Sequence, residues 1–162
     1  MSDPLSPEEV DANRHAMEQF AESERLGLIP PLHVLLGLRI ERIIPTSLVI
    51  LPQGDYVRGP VAPIHGGLLA TLADTACGAA MIGAFDPEVE MPVSTDIHIR
   101  YYRQPRSWPI KAEGRLVHRG RTFISAECVI TDGDDRELVR TTGTYMIVRG
   151  FGDPSARTNT SG

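Results

Sequence analysis

A chain of 162 residues, 41% hydrophobic and 23% charged, is long enough for one domain with a real core and too ordinary in composition for general disorder. Its formal charge of −5, with no basic block, speaks against a nucleic-acid backbone as partner. Cys77 and Cys128 lack metal-ligand spacing, and no apolar run approaches membrane-spanning length. The start, Met-Ser-Asp-Pro, has neither the basic nor the apolar region of a signal peptide, so the expectation is a soluble chain in a reducing cytoplasm, with no metal and no membrane. Lys111 is the only lysine. The remaining cations are arginines, which suit phosphate, although a codon bias would give the same composition.

Ser6-Pro7-Glu8-Glu9 reads as a helix start, with Ser6 as cap, Pro7 in the first turn and Glu9 closing a capping box. Val10, Met17 and Phe20 supply a sparse apolar stripe, and Gly27 suits the stop. Residues 1–28 are thus predicted to form an accessory helix, with Pro30-Pro31 separating it from a main domain over 29–149. Two β-branched runs, 39–44 and 47–51, broken by Pro45-Thr46, read as a hairpin. A Gly- and Pro-rich loop over 52–64 leads into one long helix predicted over 65–84.

Four strands are predicted next, over 93–103, 110–118, 122–131 and 137–148, separated by Pro105, Gly120 and the turn Asp132-Gly133-Asp134-Asp135. In the first, Val93, Thr95, Ile97, Ile99 and Tyr101 alternate with Ser94, Asp96, His98, Arg100 and Tyr102, the period of a half-buried strand. In the third, Ile124, Ala126, Cys128 and Ile130 share a face. The segment 150–162 lacks periodicity and is expected to be a disordered tail. The fold class is α+β, one antiparallel sheet around one helix.

The long helix carries the chemistry. Leu68, Leu69, Leu72, Ala76, Ala79 and Ala80 fall on one face, and Asp74 stands almost opposite, in a stripe with Gly67, Thr71 and Gly78. Solvated helix faces are usually furnished with long charged side chains, and this helix has none. Gly66-Gly67 at its start gives a carbonyl oxygen close access to unpaired amides and a positive dipole end, the geometry of an oxyanion site; the same glycines also suit a tight turn into the helix.

His65-Gly66-Gly67 followed by Leu72-Ala73-Asp74 resembles the signature of hot-dog-fold thioesterases of the 4-hydroxybenzoyl-CoA thioesterase superfamily, closest to the phenylacetate-degradation (PaaI-type) branch. The strand from Val93 to Ile99, Tyr101-Tyr102, Pro105 and the Gly143-Thr144 pair are similar too, so residues 36–149 match in order. The resemblance implies a long helix wrapped by a curved antiparallel sheet, and dimers or dimers of dimers with active sites at the subunit interface. It implies hydrolysis of an acyl- or aryl-acyl-CoA, with coenzyme A part of the substrate and no separate cofactor. Gly66 would offer its amide to the thioester carbonyl, Asp74 from a second subunit would be nucleophile or general base, His65 would orient the thioester, and Ser94 would help to place the attacking water. Gly67 and Thr71 would line the substrate site.

Where relatives carry Asn or Gln six residues before the histidine, this chain has Gly59, with Arg58 or Gln53 as substitutes at hand. Arg119 or Arg121 is expected to hold the CoA phosphates, against the plainer reading of surface arginines. His15, His33, His98 and His118 show no ligand spacing, and both cysteines read as packing residues. Two other functions compete: a non-catalytic acyl-CoA sensor or degenerate enzyme, and a hot-dog hydratase or dehydratase, which the helical aspartate after His-Gly-Gly disfavours.

Overall fold

In the computed structural model, residues 6–25, 31–54 and 63–149 are described. Helix α1, Pro7–Arg25, opens with the capping box: the Ser6 amide donates to Glu9 Oε2 at 2.8 Å and the Glu9 amide to Ser6 Oγ at 3.3 Å. Of its expected apolar stripe, Val10 is exposed and Met17 half-buried. The helix also meets the body through Asn13, whose Oδ1 accepts from the Ile43 amide at 2.8 Å and the Ile44 amide at 3.3 Å. Gly27, Pro30 and the tail from Gly150 lie outside the described residues.

A short helix α2, Pro31–Leu35, stands where the two prolines read only as a separator. The hairpin β1, Arg39–Arg42, and β2, Ser47–Leu51, follows, with β1 two residues shorter than expected. Helix α3, Gly66–Ala80, precedes β3, Glu90–Tyr101, β4, Ile110–Arg119, β5, Phe123–Thr131, and β6, Glu137–Arg149. The long helix stops at Ala80 instead of running to residue 84. Successive three-residue bonds, Met81 to Gly78 O and Ile82 to Ala79 O, tighten its end, and Gly83 at φ 86° turns the chain away.

The six strands form one antiparallel sheet in the order β1-β2-β4-β5-β6-β3. Its register lines up inward rows that α3 covers. Val49, Ala112, Ile130 and Val139 make one row, and Leu116, Ala126 and Gly143 another. Between them runs a row of small side chains, Ser47, Gly114, Cys128 and Thr141. Against it lie Ala73, Ala76 and Cys77 of α3, all fully buried. Ser47 Oγ donates to the Ala76 carbonyl at 2.7 Å and accepts from the Gly114 amide at 3.2 Å. Helix backbone therefore touches sheet backbone through one serine. Among the described residues, no helix is long and apolar enough to cross a membrane.

The alternation expected along β3 is interrupted. A bulge between Ser94 and Asp96 shifts the register, so Ile97 and Ile99 face inward, whereas before the bulge Ser94 does, opposite Tyr145, and Val93 points outward opposite Met146. As the edge strand, β3 is exposed along most of its length instead of half-buried.

Two substitutions test the small-residue row by denaturant unfolding. In Gly114→Ala the new Cβ falls on the Ala76 carbonyl and 2.5 Å from Ser47 Oγ, and a loss of about 1–3 kcal/mol is expected. Thr141 is 1% exposed and its hydroxyl has no partner among the described residues, so Thr141→Val is expected to raise stability by about 1 kcal/mol. A silent Gly114→Ala, or a destabilising Thr141→Val, would contradict this packing.

Candidate active site along helix α3

His65 sits just before the helix with extended backbone, φ −73° and ψ 131°, and its ring caps it: Nδ1 accepts from the Gly67 amide at 2.9 Å. An accepting Nδ1 on a neutral ring puts the proton on Nε2. The cap also explains Gly67, because a Cβ there would lie 3.0 Å from Nδ1 and 3.2 Å from Cε1. Gly66 differs. A Cβ on it would make only ordinary contacts with Tyr101, the nearest at 3.7 Å, and its amide has no partner among the described residues. Its carbonyl accepts from the Tyr101 hydroxyl at 3.1 Å. The helix start thus offers one free amide at its positive end, beside an aromatic side chain that is 52% exposed.

Asp74 lies eight residues further along the same helix, about 12 Å by helical rise. It is the only charged residue of α3 and is half-buried. Its Oδ1 accepts from the Tyr145 hydroxyl at 3.1 Å. Burial pushes the neighbouring Cys77 thiol up to about 12. Burial likewise raises the Cys128 thiol and the Tyr145 phenol, which the neighbouring Cys77 and Asp74 raise further.

On the α2 side, Thr75 donates to the Thr71 carbonyl at 2.8 Å, so the His33 Nε2 contact at 3.1 Å must be donated by the ring. Burial lowers His33 from its ordinary value while the charge of Asp74 pulls it upward. Thr71 turns its own hydroxyl to the Gly67 carbonyl at 3.0 Å.

The structure gathers Asp74 with Tyr145, Cys77 and His33, and Ser94 stands in the sheet directly opposite Tyr145 on the same face. It does not bring Asp74 and the Gly66 amide together within one protomer. Arg119 is engaged inside the molecule: Nε donates to the Ala84 carbonyl at 2.8 Å, Nη1 to the Gly120 carbonyl, and Nη2 to Glu90 Oε2 at 3.0 Å. Glu90 is also paired with Arg149 at 2.9 Å. Arg121 is exposed, and its guanidinium has no partner among the described residues. Gly59 and Arg58 lie outside the described residues, and Gln53 is exposed. No group of three His, Cys, Asp or Glu side chains among the described residues is placed to hold a metal ion.

Sequence reading missed Tyr145 and His33. The signal for Tyr145 was its spacing from Gly143, since a Cβ at 143 would lie 2.9 Å from the Tyr145 ring. His33 carried no such signal, because its position depends on α2, which the two prolines concealed.

The buried thiols give a direct check. Burial holds both thiols protonated well above neutral pH and out of contact with solvent. Ellman's reagent is therefore expected to find no fast-reacting thiol in the native protein and both cysteines after denaturation; a fast native thiol would contradict the geometry around Asp74.

Residues 64–139 match the family model of the thioesterase superfamily. The candidate esterase ComA2 of Bacillus subtilis is 25% identical over 115 residues, 70% of this chain and 91% of its own. Among solved structures, a thioesterase family protein from Silicibacter pomeroyi superposes with a TM-score of 0.70 at 21% identity, over 83% of this chain and 96% of that one. A Bacillus halodurans protein solved with CoA gives 0.67 at 22% identity, over 90% and 93%. An antiparallel six-stranded sheet closed around one buried helix, with these likenesses, is the hot-dog fold, and its central segment carries the thioesterase-superfamily match.

Proposed function

We propose that this protein is an acyl-CoA thioesterase that hydrolyses an acyl- or aryl-acyl-CoA to the free acid and CoA, of the phenylacetate-degradation type, acting as a homodimer or a dimer of dimers. The carrying observation is a single carboxylate, Asp74, on an otherwise uncharged helix whose N-terminus holds the Gly66 amide, unpaired among the described residues. The two groups are about 12 Å apart along one axis, too far to serve one thioester carbonyl from the same protomer. A site built from Gly66 of one copy and Asp74 of another removes that difficulty, and the exposed edge strand β3 offers unpaired backbone for such an assembly.

In this reading the thioester oxygen approaches the Gly66 amide, where the helix end stabilises the negative charge of the tetrahedral intermediate. Asp74 either takes a proton from the attacking water or attacks the carbonyl carbon itself, with the acyl group passing to water in a second step. Collapse expels the CoA sulfur, which leaves as the thiol once protonated. His65 Nε2–H is a donor available to the substrate, and Ser94, opposite Tyr145, has the placement to hold the water. Gly67 and Thr71 line the approach. With Arg119 engaged internally, Arg121 is the better placed of the two for the CoA phosphates.

The test is thiol release from a panel of short-, medium-, long-chain and aryl CoA thioesters, for wild type and Asp74→Asn, with folding and oligomeric state checked for both. Turnover by wild type and a loss of about 10²-fold or more in the variant are expected. Tight acyl-CoA binding without turnover would replace this reading with a sensor or degenerate enzyme.

A further inference from the structure

The carboxylate of Asp74 is held from the opposite layer of the fold. Tyr145 is 3% exposed, and its ring lies along β6 over Gly143, where a Cβ would stand 2.9 Å from Cε2 and 3.1 Å from the hydroxyl oxygen. The glycine leaves a slot that fixes where the phenol ends. At that point the hydroxyl meets Asp74 Oδ1 at 3.1 Å, in a neighbourhood closed off by the fully buried Cys77.

A carboxylate oxygen accepts, so the one proton of the phenol is donated to Asp74 Oδ1. His33, the other titratable side chain facing Asp74, spends its Nε2–H on Thr75 and does not compete for that oxygen. Oδ1 is thus occupied, the carboxylate is restrained from turning about its Cβ–Cγ bond, and Oδ2 is left to react.

We infer that Tyr145, seated by Gly143, is a positioning residue for the thioester cleavage: it binds Oδ1 of Asp74 and so presents Oδ2 to the water or the thioester carbon. The inference rests on the thioesterase reading and adds to it a residue outside the His65-Gly66-Gly67 and Asp74 motif. Tyr145 itself touches no reacting atom and transfers no proton in the reaction.

The experiment is steady-state kinetics of Tyr145→Phe beside wild type and Asp74→Asn, on the best thioester of the panel, with the intact oligomer and with thermal unfolding of each. The substitution removes one oxygen and keeps the ring over Gly143. A fall in kcat of roughly 10- to 100-fold with KM held within about twofold is expected, because a misaligned reacting group costs rate and not ground-state binding. Gly143→Ala, which crowds the ring out of its slot, is expected to show the same kcat-specific loss. Wild-type kcat in Tyr145→Phe, or a loss confined to KM, would overturn the positioning role while leaving the thioesterase intact. A wild type that cleaves no thioester would overturn the functional reading and this role with it.

Discussion

The architecture depends on how closely one helix can approach one sheet. Ser47 bridges the Ala76 carbonyl and the Gly114 amide at 2.7 and 3.2 Å, which places helix backbone almost on strand backbone. That approach needs small residues on both surfaces, alanines and Cys77 on α3, and Ser47, Gly114, Cys128 and Thr141 across the sheet. The cost, among the described residues, is a buried hydroxyl without a partner, on Thr141. The gain is reach: with the helix this near, a tyrosine lying flat along β6 extends to a carboxylate on the side of the helix. Larger residues in that row would lift α3 and open the gap between Tyr145 and Asp74.

The same closeness accounts for the charge pattern of α3. A helix buried along most of its circumference cannot carry ordinary surface charges without desolvating them. Asp74 is tolerated because it is only half-buried and one oxygen is bonded. The stripe it shares with Thr71 and Thr75 is otherwise neutralised locally, both hydroxyls returning to carbonyls one turn back. What stands out on this face is therefore a single carboxylate, not a solvated polar surface.

The sequence made the α3 site partly legible because its signals are local. Two glycines opening a helix and a lone aspartate are readable at helical spacing, and the inward face of β5, Ile124, Ala126, Cys128 and Ile130, follows from period two. The small helix α2 was not legible, since adjacent prolines read as a break while one of them starts a helical turn. Neither was the bulge in β3, because one extra residue leaves the alternation in the sequence intact and only its pairing with β6 reveals the slip. Tyr145 was hidden for a related reason: it lies 71 residues from Asp74, and strand order, which brings them together, cannot be read from periodicity. Arg119 shows the converse limit, a cation whose sequence position suggests a ligand and whose three bonds stay inside the fold.

The bulge also connects the edge of the sheet to the site. Without it, the register that faces Ile97 and Ile99 inward would put Thr95 and Val93 on the helix side and turn Ser94 away. With it, Ser94 stands opposite Tyr145, and Met91 and Val93 move to the outer face, where they are 39% and 40% exposed. A long edge strand with unpaired backbone and exposed apolar side chains is a liability for an isolated protomer. That liability is relieved if a second copy covers the edge. The separation of the Gly66 amide from Asp74 along α3 points the same way on independent grounds: the proposed reaction would place both groups at one carbonyl, and a single helix holds them apart.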